Sequence, residues 1–165
     1  MKQAIVFHSK TGFTQRYAQL LSQQTGAPLL PLEKAAQSSL AGYDRVVFGS
    51  FLHAGRISGL KKFLHLAQDK QLLLFVTGAA PAQADFWQAN LSGEQLARIP
   101  HFYFPGGLCY EKMPLPDLAM MRLAAFFMSR QPGADPQFAA AIRHSYDLFD
   151  PAAIAPLAAE MAAPK

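Results

Sequence analysis

The chain has 165 residues, 51% of them hydrophobic, and a formal charge of +4 at pH 7. That length points to one domain over residues 1–165, with a helical tail from about 146. The basic residues are scattered, so no nucleic-acid footprint is expected, and the lone Cys109 excludes an intrachain disulfide and a multi-cysteine metal site. The basic excess favours an anionic partner: a phosphate cofactor, an acidic protein or a lipid headgroup.

Ala4-Ile5-Val6-Phe7 is a continuous apolar run, the pattern of a strand buried on both faces. It is too short for the apolar region of a secretion signal. No stretch reaches the roughly 20 apolar residues of a spanning helix. Phe13, Tyr17, Leu20 and Leu21 recur at helical spacing, and Gly26 and Pro28 end that helix. Leu29 to Leu32 reads as a second strand, Gln37 to Gly42 as a polar connector, and Arg45 to Phe48 as a third strand closed by Gly49-Ser50. Leu60, Phe63, Leu64 and Ala67 mark a helix. Leu72 to Val76 forms a fourth strand, broken from Thr77 onward. A helix is predicted over Asp85 to Arg98, with Trp87 as a packing residue. A fifth strand starts at Phe102-Tyr103-Phe104 and runs on to Cys109, expected as a buried strand-end thiol. Helices follow over Pro116 to Ser129 and Pro136 to His144, with an Ala-rich tail from Pro151, docked or frayed.

Strands alternating with helices imply parallel βαβ units and helices on both sheet faces, and five such strands suit the order 2-1-3-4-5. Such sheets bind ligands beyond the carboxyl ends of the strands, near the first and third.

Three segments fall at that edge. Ser9-Lys10-Thr11-Gly12-Phe13-Thr14 joins the first strand to the first helix. Its hydroxyls, and the free N–H groups of a helix start, suit a phosphate, while an ordinary N-cap explains the same residues. Gly49-Ser50-Phe51-Leu52-His53-Ala54-Gly55 follows the third strand, where Phe51, Leu52 and His53 would wall a flat ring. His53 either serves a ligand, as hydrogen-bond partner or proton carrier, or is a surface histidine. Thr77-Gly78-Ala79-Ala80-Pro81 ends the fourth strand and exposes backbone N–H groups, or is a plain turn.

Asp85, Glu111 and Asp117 offer acid/base groups, but each reads better as a cap or surface charge. The other histidines form no ligand-spaced cluster, so no metal is expected. From Leu118 to Met128 only Arg122 is polar. Such a helix packs in the core, or faces a membrane, a quinone or a second copy of the chain.

Ser9-x-Thr11-Gly12-x-Thr14 resembles the flavodoxin phosphate loop, Thr/Ser-x-Thr-Gly-x-Thr. The resemblance implies FMN, its phosphate held by hydroxyls and backbone amides without a metal, in a flavodoxin-like three-layer α/β sandwich. Ser9 to Thr14 would hold the phosphate; Ser50 to Gly55 and Thr77 to Pro81 would flank the isoalloxazine ring. Tyr43 to Ser50 with Gly55, and Gly107-Leu108-Cys109-Tyr110 with the Met/Phe-rich helix, resemble the menaquinone-dependent protoporphyrinogen oxidases and their relatives. That branch implies an FMN oxidoreductase with a quinone acceptor, here expected to be cytoplasmic; the resemblance supplies no general base, and His53 is the candidate from its own chemistry. The flavin-stacking Trp and Tyr and the acidic surface of carrier flavodoxins are missing. Two alternatives stand: an electron-transfer module served by a redox partner, and a flavin-free interaction protein.

Overall fold

The computed structural model describes residues 1–53, 55–80, 98–128, 130 and 136–163. Five parallel strands, β1 (Gln3–Phe7), β2 (Leu29–Pro31), β3 (Arg45–His53), β5 (Gln71–Gly78) and β6 (His101–Pro105), lie in the order β2-β1-β3-β5-β6. Counted among themselves they run 2-1-3-4-5, the expected order. The additional strand β4 (Arg56–Ile57) folds back antiparallel on the end of β3.

The side-chain period of two splits the sheet into two apolar faces. In register across β1, β3 and β5, Ile5, Val47 and Leu73 point to one face. They pack against Tyr17, Ala18 and Leu21 of α1 (Phe13–Thr25) and Leu157, Ala158 and Met161 of α6 (Ala155–Ala162). Their neighbours Val6, Phe48 and Leu74 point to the other face. There they meet Leu32, Leu40 of α2 (Gln37–Leu40) and Phe63 of α3 (Leu60–Leu66). Helix–sheet–helix layering follows, because both faces of the central strands are apolar.

Several elements differ from expectation. Gln37 to Gly42 is no mere connector: its first four residues form α2, which drives Leu40 fully into the core. The third strand continues to His53 and the fourth through Gly78, each held by parallel pairing that extends to Phe51↔Thr77. The fifth strand does not reach Cys109. It stops at Pro105, which has no N–H to continue a ladder. Gly107–Leu108 (β7) instead pairs antiparallel with Tyr146–Asp147 (β8). Cys109 is half-buried, with its thiol 3.3 Å from Glu111 Oε2, rather than buried. Helix α4 spans Leu115–Met128, with Pro116 in its first turn. Helix α5 is Pro136–Ala141, ending short of His144. Asp85 to Arg98, Trp87 included, lies outside the described residues except for Arg98.

The Ala-rich tail docks. Leu157 is fully buried, and the buried Arg45 guanidinium donates to the carbonyls of Glu160 (2.9 Å) and Met161 (3.4 Å). A cation at these carbonyls satisfies groups the helix end leaves open and complements its dipole.

Candidate functional site

The three segments expected at the sheet edge converge at its carboxyl end. Ser9 to Gly12 connect β1 to α1. Gly12 takes φ +100° there, so α1 starts with a left-handed residue that needs no side chain, and Arg16 N–H donates to Gly12 O at 3.0 Å. The Gly12 N–H donates to Ser9 Oγ at 3.2 Å. The N–H groups of the first helical turn have no carbonyl four residues back within the helix.

Phe51, Leu52 and His53 sit on the end of β3, not in a loop. The turn lies beyond them, where Gly55 adopts φ +75° and His53 pairs with Arg56. Phe51 stacks on His8 (centroids 5.3 Å), and His8 Nδ1 lies 2.5 Å from Glu33 Oε1. Burial raises the Glu33 pKa, but its backbone N–H and His8 outweigh that and hold it below its ordinary value. The third segment is anchored from outside the site: Tyr103 OH donates to Ala80 O and Tyr146 OH to Ala79 O, both at 2.7 Å. Desolvation raises both phenols, Tyr146 to about 12, so they stay donors.

Two clefts meet at the Ser9–Thr14 loop. The first encloses about 160 Å³ between Phe51, Leu52 and His53 on one side and Thr77, Gly78 and Ala79 on the other. Gly106 to Leu108, Met113, Met120, Met121 and Asp117 complete its wall. The second, about 460 Å³ and more open, is lined by Thr11, Gly12, Arg16, Lys112 and Asp147 among others. The first is smaller than the roughly 300–1,000 Å³ of sites that bury a whole drug-sized ligand. The loop and the second cleft beside it carry the polar and cationic lining. The donor set there, hydroxyls and backbone N–H groups beside cations, is the chemistry of a phosphate site.

Not every expected residue faces these clefts. Ser50 is fully buried and donates to Ser58 O at 2.6 Å. Thr14 Oγ1 lies 2.7 Å from Thr77 Oγ1, both buried, and Thr77 Oγ1 is 3.4 Å from Ser50 O. These hydroxyls tie the ends of β3 and β5 and the first turn of α1 to one another at the floor of the first cleft, because a buried hydroxyl must find a partner. Ala80 is buried, Gly55 lies at the hairpin tip outside the pocket, and Ala54 and Pro81 fall outside the described residues.

Asp117 overturns its reading as a cap or surface charge. One carboxylate oxygen accepts from Lys10 Nζ and the other meets His53 Nε2, each at 3.1 Å. The Lys10 hydrogen bond, helped by His53 against some burial, holds the Asp117 carboxyl below its ordinary value. Asp117 thus ties α4 to both the first and second segments. Residues 117, 118, 121, 124 and 125 form the inner face of α4. The core-packing reading of the helix fails on the other face, where Leu123 is 57%, Phe126 48% and Phe127 56% exposed. Among the described residues no helix is long and apolar enough to cross a membrane.

Among solved structures, a flavodoxin from the domain Archaea is 15% identical, covering 87% of this chain and 100% of that one (TM-score 0.48). Oxidised flavodoxin 2 from Bacillus cereus is 16% identical, covering 87% and 98% (TM-score 0.46). A flavoprotein in complex with FMN from Lactobacillus acidophilus is 14% identical, covering 63% and 91% (TM-score 0.43). No curated protein matches the chain. The model of the flavodoxin domain matches residues 4–132, a span from the first strand past α4 that includes both clefts' principal walls. On that match the chain belongs to the flavodoxin domain family.

Proposed function

We propose that this protein binds FMN and works as a flavodoxin-type redox protein. The observation that carries the reading is the meeting of an apolar slot and a basic cleft at the Ser9–Thr14 loop. FMN bound there would supply one- and two-electron redox chemistry. The chain's own groups bind, orient and shield. The hydroxyls of Ser9 and Thr11, with backbone N–H groups from Lys10 to Thr14, hold the phosphate. Phe51, Leu52 and His53 face Thr77, Gly78 and Ala79 across the ring. With Asp117 accepting at Nε2, a neutral His53 presents Nδ1 as an acceptor.

A second reading is an oxidoreductase of the protoporphyrinogen oxidase kind with a quinone acceptor. One observation favours it: Leu123, Phe126 and Phe127 are exposed on the helix whose inner face lines the pocket. Such a surface suits a lipid bilayer, an apolar reductant or a second copy of the chain.

The test is the visible absorption spectrum, followed by titration of the apoprotein with FMN and with riboflavin. Flavin bands and a strong preference for FMN are expected. A colourless protein that binds neither refutes the reading and leaves a flavin-free interaction protein. Reoxidation of the reduced protein by a soluble quinone without a partner protein supports the second reading over a carrier.

A further inference from the structure

We propose that Lys112 is a phosphate-binding residue that makes this site selective for a phosphate monoester; the inference rests on the FMN reading above. The family resemblance assigns the phosphate to hydroxyls and amides of the first loop alone. Here a cation from a remote segment faces that loop. Lys112 ends a 3-10 turn, Tyr110–Lys112, more than 90 residues along the chain from Gly12. Its Nζ lies 4.0 Å from the position a Gly12 β-carbon would take, and among the described residues no other heavy atom beyond Gly12's chain neighbours lies within that distance. The ammonium thus faces the open, side-chain-free side of the Gly12 backbone.

The surrounding charges leave Lys112 uncommitted. Lys10 is paired with Asp117 and Arg16 with Asp147. The Glu111 carboxylate is bonded to Ser145 Oγ and Cys109 Sγ. Among the described residues, no carboxylate lies within ion-pair distance of Lys112. The turn that carries it is anchored: Tyr110 N–H donates to Ser145 Oγ at 3.0 Å, and Tyr110 OH donates to Ile142 O. A fixed turn, an unpaired ammonium and an open loop backbone share the second cleft, and a dianionic phosphate is the ligand chemistry that joins them.

The test compares wild type, Lys112→Met and Lys112→Arg by fluorescence titration with FMN and riboflavin, with inorganic phosphate as competitor. Lys112→Met is expected to weaken FMN about tenfold, the effect of an exposed charge-assisted contact. Riboflavin affinity is unchanged, Lys112→Arg restores most of the FMN affinity, and phosphate competes less well in the Met variant. FMN affinity unchanged in Lys112→Met, with wild type still preferring FMN, overturns the role of Lys112 and leaves the FMN reading standing. Equal losses for FMN and riboflavin also overturn it, by showing a structural effect. A wild type that binds both flavins equally, or neither, overturns the phosphate reading and this proposal together.

Discussion

Gly12→Ala separates what the phosphate loop needs from its backbone and what it needs from its side chains. Gly12 sits at φ +100°, ψ −16°. A residue with a β-carbon is disfavoured there by about 1–2 kcal/mol. The same substitution stiffens the unfolded chain, which offsets about 0.4–1 kcal/mol. Space adds nothing, because among the described residues the new methyl would meet only Lys112 Nζ at 4.0 Å. The net expectation is a destabilisation of about 1 kcal/mol in urea melts with an unchanged m-value, if the loop keeps its shape. If the loop relaxes to negative φ, stability returns but the N–H groups turn away. FMN affinity then falls about tenfold or more while riboflavin affinity holds. Gly12→Asn, which tolerates the left-handed region better, should lie between Ala and wild type. A Gly12→Ala protein with wild-type stability and wild-type FMN affinity would show that the loop has no need of this conformation.

Gly49→Ala would place a β-carbon 2.0 Å from Phe75 Cζ, and Phe75 is fully buried against Phe104. A loss of about 2–3 kcal/mol in chemical denaturation is expected, and no loss would mean the sheet accommodates the methyl freely. Thr14→Ala, which deletes the buried contact with Thr77, should cost about 1–2 kcal/mol of stability. Thr11→Ala should instead reduce FMN affinity, and a reversal of these two effects counts against the hydroxyl assignment. Tyr17→Phe leaves Pro105 O and the Asp150 N–H unpartnered around a fully buried ring, at about 1–3 kcal/mol; a melt shifted by less than 0.5 kcal/mol would be the contrary result, at about the usual scatter for surface substitutions. The Asp117 carboxyl is held below its ordinary value of 3.8. Its contacts therefore contribute fully above that value and are lost as pH falls through the lower folded-state pKa. The Met121 methyl resonance should move in acid below about pH 3.8 in wild type but not in Asp117→Asn; identical titrations in both would contradict the contact.

Much of the architecture was legible because it is written in local patterns. The apolar runs of β1, β3 and β5 and the helical spacing of Phe13, Tyr17 and Leu21 each depend on neighbours within a few residues. Alternation of such elements then restricts a parallel sheet to few topologies. The Ser9–Thr14 loop was found the same way, as a hydroxyl-rich break between a strand and a helix.

Tertiary structure decided the rest, wherever an answer depends on distant residues. Helix α4 carries apolar residues on all sides from Leu118 to Met128, with Arg122 alone polar, so its pattern names no inner face; packing chose the one bearing Asp117 and Met121. Asp117 meets Lys10 across 107 positions, and Gly107-Leu108 pairs with Tyr146-Asp147 rather than extending the sheet. The hydroxyls of Ser50, Thr14 and Thr77 were recognisable as polar groups at the right edge, but a strand's spacing does not say whether a hydroxyl looks outward or finds a buried partner. Sequence by itself determined the main strands and helices and which edge of the sheet carries the site. Only the folded chain determined which side chains face it, because that depends on contacts between segments far apart along the backbone.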